Sequence, residues 1–258
     1  MAVGIAEFEL RKYRFPNAAF RHLLIKLYPI RYLFRRALLL IEPKSKSKST
    51  DIDITLTENL EKGAKEFEKK GWVFIENIFP EEVHNALVKG WPNFYHFKPA
   101  YNIHKSYDMS FISQDQTLAK YPVFKNLEQY ICSNSFAQRI NDFSPSLGNK
   151  DRSVARILLS RAGYKSACIN HLDSVSTKKS NIGESINFIF FIKGTGGPRS
   201  GGTCIYRDEN GEILFEPTNT TNSCLIYRSD KLYHGFPPMS FGKYRWMISG
   251  HLQASYYD

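Results

Sequence analysis

The chain divides by the spacing of its hydrophobic positions. Phe20, Leu23, Leu24, Leu27 and Tyr28 follow the i, i+3, i+4, i+7, i+8 rule of a helix face, and Ile30, Leu33, Phe34, Leu38 and Ile41 repeat it. Pro29 lies between the two sets and is expected to divide them into two short helices. Residues 56–70 read as a further helix closed by Gly71, the residue type favoured just past a helix C-terminus. Residues 72–75 (Trp-Val-Phe-Ile) then read as a strand. Pro80-Glu-Glu opens another helix, with its acids at the positive end of the helix dipole. Residues 92–122 are dense in Tyr, Phe and His without a regular period and read as loop, and residues 123–140 as helix.

Beyond Asp151 the pattern changes to short runs, predicting strands over 153–160, 166–172, 185–192, 203–207, 212–215, 223–227 and 244–252. Asn210-Gly211 marks a hairpin between the fourth and fifth. The five glycines between Gly194 and Gly202 mark a loop. Helices first and close-spaced strands afterwards predict an α+β chain that ends in a β-sandwich or barrel.

Charge separates the chain into two parts. Residues 1–50 carry eleven Lys/Arg against Glu7, Glu9 and Glu42, a net of +8, whereas the remaining 208 carry 24 basic and 22 acidic residues. A near-neutral body argues against a nucleic-acid groove, so no nucleic-acid partner is expected. Residues 1–42 read as a basic amphipathic helical appendage, 43–55 as a flexible Lys/Ser linker, and 56–258 as the functional domain. The stripe over residues 18–41 either packs on that body or makes peripheral contact with an anionic membrane; a nucleic-acid arm and an Arg-rich transit peptide are the other readings. Glu7, Glu9, Arg11, Lys12 and Arg14 stand where a secretory signal would be apolar, and the longest aliphatic run, 37–41, is far short of the ~20 residues that span a bilayer. The expected location is therefore cytoplasmic, with peripheral membrane attachment as an extension. Cys132, Cys168, Cys204 and Cys224 show no CxxC spacing and read as reduced thiols.

Of the seven histidines, His22, His84 and His96 read as surface or packing residues, His104 as a pocket candidate, and His251 as a core or rim residue of the last strand. His171-Leu172-Asp173 is different. On a strand, positions i and i+2 share a face, so an imidazole and a carboxylate enter one space. With a second histidine from a remote strand they would form a 2-His-1-carboxylate set, which leaves open positions on a non-heme Fe(II). His234, in Tyr-His-Gly-Phe-Pro-Pro, is the candidate. Arg245, eleven residues later, offers a guanidinium suited to bidentate capture of a carboxylate.

This order of HxD, a gap of about sixty residues, His, and then Arg resembles the Fe(II)/2-oxoglutarate-dependent dioxygenases. The similarity is greatest to their prolyl-4-hydroxylase-like and phytanoyl-CoA-hydroxylase-like branch. It extends over most of residues 57–252. Gly71-Trp-Val-Phe-Ile-Glu-Asn-Ile-Phe-Pro-Glu-Glu-Val83, Gly201-Gly202 and the Phe-Glu-Pro-Thr-Asn segment belong to the same pattern. The resemblance implies a double-stranded β-helix (jelly-roll, cupin-like) core with supporting N-terminal helices. It also implies His171, Asp173 and His234 as metal ligands and catalytic centre, and Arg245 as the residue binding the distal carboxylate of 2-oxoglutarate. Fe(II), 2-oxoglutarate and O2 would be required, with ascorbate as an optional accessory reductant. The co-substrate would leave as succinate and CO2 while an unactivated C–H is hydroxylated. Two positions depart from the pattern: Met247 stands where relatives carry a serine co-substrate ligand, and Arg161, with Tyr164 nearby, where many carry a tyrosine. Asp173 is retained, which favours hydroxylation over halogenation.

Residues 92–122 and 174–181 are the expected substrate loops. Tyr101, His104, Lys105, Tyr107, Asp108, Arg161, Lys178, Lys179, Arg207 and Arg228 are candidate contacts to anionic or polyol groups. A basic amphipathic appendage favours a cell-envelope glycolipid or lipid-linked sugar as substrate. A peptidyl (prolyl-type) hydroxylase and a small-metabolite hydroxylase are alternatives within the same chemistry, and a catalytically silent jelly-roll binding module is the alternative outside it.

Overall fold

The computed structural model describes residues 28–41, 54–101, 106–111, 121–143, 152–173 and 185–254. The first half of the N-terminal stripe, most of the 43–55 linker, His22, His104, Lys105, Lys178 and Lys179 lie outside these residues.

Helix α1 (Tyr28–Ile41) carries Pro29 in its first turn, where a missing N–H leaves no bond unmade. The body opens with Ile54 and Leu56, both buried. Two helices follow, α2 (Asn59–Lys62) and α3 (Ala64–Lys70), in place of the single one expected over 56–70. As expected, Gly71 closes α3 in the left-handed region (φ 77°) and donates its N–H to the Phe67 carbonyl at 2.7 Å. Strand β1 (Trp72–Glu76) and helix α4 (Glu81–Lys89) come next. The helix expected over 123–140 also divides, into α5 (Pro122–Ile131) and α6 (Asn134–Phe143). Ser133 Oγ causes the break: it accepts the Phe136 N–H at 3.2 Å as an N-cap and donates to the Tyr130 carbonyl.

Residues 92–122 are not all loop. They contain a 3-10 turn (Phe94–His96) and a hairpin of β2 (Lys98–Tyr101) and β3 (Ser106–Phe111). That hairpin adds to the edge of a sheet whose next strand lies some fifty residues further on, so no local period announces it. The remaining strands are β4 (Arg152–Ala162), β5 (Cys168–His171), β6 (Ser185–Gly194), β7 (Cys204–Tyr206), β8 (Ile213–Phe215), β9 (Ser223–Arg228), β10 (Tyr233–Phe236) and β11 (Arg245–Ala254). β10 is not among the strands expected from the sequence. The Asn210-Gly211 hairpin is present between β7 and β8.

Two antiparallel sheets result, a seven-stranded one in the order β1-β9-β6-β11-β4-β3-β2 and a four-stranded one in the order β5-β10-β7-β8. They fit a jelly-roll-type fold. Strand alternation gives the large sheet two different faces. Ile186, Phe188, Phe190 and Ile192 of β6, with Cys224, Ile226, Ile248 and Leu252, pack on the helix layer through Phe67, Leu87, Phe124 and Phe136. The intervening residues Ile189, Phe191, Leu225, Tyr227 and Met247 turn the other way and meet Ile205 and Phe215 of the small sheet. Eight consecutive residues of β6 are therefore buried.

α1 lies beside the 3-10 turn and exposes most of its stripe. Ile30, Leu33, Phe34, Leu40 and Ile41 are all exposed, Leu33 to 66%. Leu38 of the stripe is half-buried. No helix among the described residues is long and apolar enough to cross a membrane.

Candidate metal centre

His171 ends β5, Asp173 follows it, and His234 stands on β10 directly opposite His171 in the strand pairing. Ligand atoms of the three residues lie within 4.8 Å of one another, a spacing that fits one metal ion. Local backbone orients each group. His171 Nδ1 lies 2.6 Å from the Ile169 carbonyl and His234 Nδ1 lies 3.0 Å from that of Leu232. With Nδ1 held at a carbonyl, each ring turns its Nε2 toward Asp173 Oδ1, at 3.4 Å (His171) and 3.6 Å (His234), where an unprotonated nitrogen can ligate a metal. The Asp173 N–H donates to the Ser229 carbonyl at 3.1 Å, which ties the end of β5 to the turn after β9.

The charges in the metal-free protein follow from this geometry. Burial favours neutral Asp173, but its contacts with His171 and His234 and the nearby charge of His251 outweigh it and hold the carboxyl well below the usual range. Burial likewise works against protonated His171; Cys168 and Asp173 overcome it and push its pKa up to about 10. His234 goes the other way: burial and then the charge of His171 lower it, leaving a neutral ring. The donor set thus contains a fixed anion and a ready imidazole, a composition suited to a divalent cation.

Arg245 is fully buried at the start of β11. Its guanidinium stacks 4.1 Å from the centroid of Phe236, two residues past His234, and Nη1 lies 2.8 Å from Met247 Sδ. A thioether is a weak acceptor, so an incoming carboxylate would readily take its place.

The other candidates lie elsewhere. Arg161 stacks on Phe97, Arg228 on Phe67, and Arg207 pairs with Glu212 at 3.1 Å. Tyr164 is exposed against Phe241. Of Tyr101, Tyr107 and Asp108 only the strand positions on β2 and β3 are described. His84 Nε2 bonds to the Ile192 carbonyl and His96 is buried against Tyr121, both packing roles as expected. His251 is a partly buried residue of the last strand, as expected, and its Nδ1 lies 3.4 Å from Asp173 Oδ2. Asn187, which donates to the same oxygen at 2.5 Å, and Tyr227, 3.1 Å from Asn187 Nδ2, complete the surroundings. The sequence does carry a signal for Asn187, as the one polar residue within the apolar run 186–192.

No family model and no curated protein matches the sequence. Solved structures do match. A Pseudomonas putida prolyl-4-hydroxylase superposes with TM-score 0.57 at 16% identity, covering 76% of this chain and 100% of its own. A Trichoplax adhaerens prolyl hydroxylase, in complex with a hypoxia inducible factor oxygen degradation domain peptide fragment, gives 0.56 at 16% over 82% and 95%. HygX from Streptomyces hygroscopicus, with nickel, 2-oxoglutarate and hygromycin B bound, gives 0.55 at 12% over 78% and 89%. The chain therefore has the fold of the prolyl-4-hydroxylases and other 2-oxoglutarate/Fe(II) oxygenases, with a His-Asp-His cluster inside it.

Proposed function

We propose that this protein is a non-heme Fe(II)/2-oxoglutarate-dependent oxygenase that hydroxylates an unactivated C–H, built on a double-stranded β-helix core. The observation that carries this reading is the convergence of His171, Asp173 and His234, with the buried Arg245 two residues of β10 away across Phe236. His171, Asp173 and His234 would hold iron, and Arg245 would take the distal carboxylate of 2-oxoglutarate as a charge-assisted pair. Bound there, iron and co-substrate supply the activation of O2 at the expense of decarboxylation to succinate and CO2. The chain itself orients and shields. Two backbone carbonyls fix the imidazole rings, Asp173 supplies the anion, and Phe236 and Met247 lie against the Arg245 guanidinium.

Anaerobic addition of Fe(II) and then 2-oxoglutarate is expected to give a visible charge-transfer band that needs both, is lost in His234→Ala, and in Arg245→Ala requires more 2-oxoglutarate. No band in a well-folded protein would make the chain a silent binding module.

For the substrate, the largely exposed apolar stripe of α1 and the +8 charge of residues 1–50 support peripheral contact with an anionic membrane and a glycolipid or lipid-linked sugar. The protein should float with vesicles containing anionic phospholipid and should not after Leu33→Ser/Phe34→Ser. Unchanged flotation would turn the search to peptides and small molecules, the ligand classes of the Trichoplax enzyme and HygX.

A further inference from the structure

A carboxylate can ligate a metal through one oxygen or two, and the choice decides how many positions remain for co-substrate and O2. The two oxygens of Asp173 have different neighbours. Oδ1 faces the Nε2 atoms of His171 and His234, whereas Oδ2 receives Asn187 Nδ2 at 2.5 Å and lies 3.4 Å from His251 Nδ1. His251, Asn187 and Tyr227 are register partners on β11, β6 and β9, one row across three adjacent strands facing the inside of the sandwich. The next row on that face is Ser249, Ile189 and Leu225, largely apolar. On the other side the row is flanked by Gln253, Ser185 and Ser229, whose polar groups bond to one another as Ser229 Oγ does to Ser185 Oγ at 3.0 Å. Tyr227 Oη lies 3.1 Å from Asn187 Nδ2 and fixes the amide, and both Asn187 and Tyr227 are buried.

We propose that Asn187 and His251, steadied by Tyr227, are positioning residues that occupy Oδ2 of Asp173 and so hold it as a one-oxygen ligand through Oδ1. The inference rests on the metal-centre reading above. Its purpose follows from geometry: with Oδ2 released, the carboxylate can swing to chelate and remove an open position from the metal.

The test uses Mn(II) alone as probe, with the full chain. Affinity comes from competition with a chelator, and water-proton relaxation counts the exchangeable waters on the bound ion. Asn187→Leu and His251→Leu should bind Mn(II) about 10- to 100-fold more weakly than wild type, the usual cost of removing an outer partner of a ligand. They should also carry about one coordinated water fewer. His251→Gln, which keeps a donor, should recover most of both, and Tyr227→Phe should fall between. Wild-type affinity and water count in the two Leu variants would overturn the proposal. So would variants that only lower the melting temperature of the metal-free protein, since that marks a packing role. A wild-type protein that binds no Mn(II) would overturn the metal-centre reading itself, and the clamp with it.

Discussion

Gly235 offers the sharpest test of how backbone packing sets the candidate centre. It follows His234 on β10, which lies between β5 and β7. A Cβ at this position would sit 2.6 Å from the carbonyl oxygens of both Cys168 and Ile169. These are backbone atoms, so no rotamer change relieves the contact. The strands must part by about 0.8 Å to restore ordinary separation. The Ile169 carbonyl is also the one that holds His171 Nδ1. Gly235→Ala therefore disturbs both imidazoles, by pushing on the acceptor that orients His171 and by moving the strand that carries His234. Metal–ligand distances tolerate only about 0.2 Å. The expected result is a loss of metal affinity of about 10- to 100-fold, or about 1.4 to 2.7 kcal/mol. Overpacking should lower folding stability by a further ~1–3 kcal/mol. Anaerobic Co(II) titration against a competing chelator and urea denaturation of the metal-free protein measure the two effects. Gly242→Ala is the control: its φ is +73° but its Cβ would meet nothing within 4 Å, so it should cost about 1 kcal/mol in stability and leave metal binding unchanged. If Gly235→Ala behaves like Gly242→Ala, the argument that β10 packing sets the site is refuted.

Two further predictions concern ionisation. In the metal-free protein His171 has a folded pKa raised to about 10, so it contributes stability fully below its unfolded value near 6.5 and loses it as pH rises through 10. The stability gap between wild type and His171→Gln should accordingly shrink from pH 6 to pH 10.5, and a constant gap would show that the proton is not held there. Among the cysteines only Cys132 is exposed, while burial pushes Cys204 up to about 12 and Cys224 higher still. A thiol reagent should modify one cysteine rapidly in the native protein and all four in denaturant; rapid loss of two or more would contradict the packing of the sandwich.

What was legible in the sequence depends on how local each signal is. His171 and Asp173 are two positions apart on one strand, and His234 and Arg245 follow at recognisable spacing, so side-chain alternation and chain order suffice to single them out. The strands of the second half were legible for the same reason, since each carries its own hydrophobic run. β2 and β3 were not, because their order comes from pairing with β4 across the intervening helices. β10 was hidden by the glycine that its close packing requires. The breaks that divide the two long helices rest on single residues, Gly63 and the Ser133 cap, inside otherwise continuous periods. The contact of His251 with Asp173 was hidden differently. Its strand and face were readable, but its neighbour Asp173 is 78 positions away, and only the β11–β6 register shows that His251 stands beside Asn187.

That register is itself set on the opposite side of the sheet. Gly250 pairs with Phe188, and a Cβ there would fall 2.1 Å from Phe188 Cζ, so the ring occupies the space that a side chain would take. Shift β11 by one residue and the ring meets Ser249 or His251 instead. The same slip would turn Arg245 and His251 out toward the helix layer, where Trp246 now stacks on Trp91 and Ile248 and Leu252 pack. A guanidinium in the place of Trp246 would stand between the cations of Arg161 and Lys193, its partners on β4 and β6, and like charges directly opposite on a sheet repel. The glycine and phenylalanine on the helix face therefore select the one alignment in which the polar row of His251, Asn187 and Tyr227 comes level with Asp173. The fit of rings against helices on one face is thus what gives the donor atoms on the other face their positions, and a core substitution at Phe188 should reach the metal centre although it touches none of its ligands.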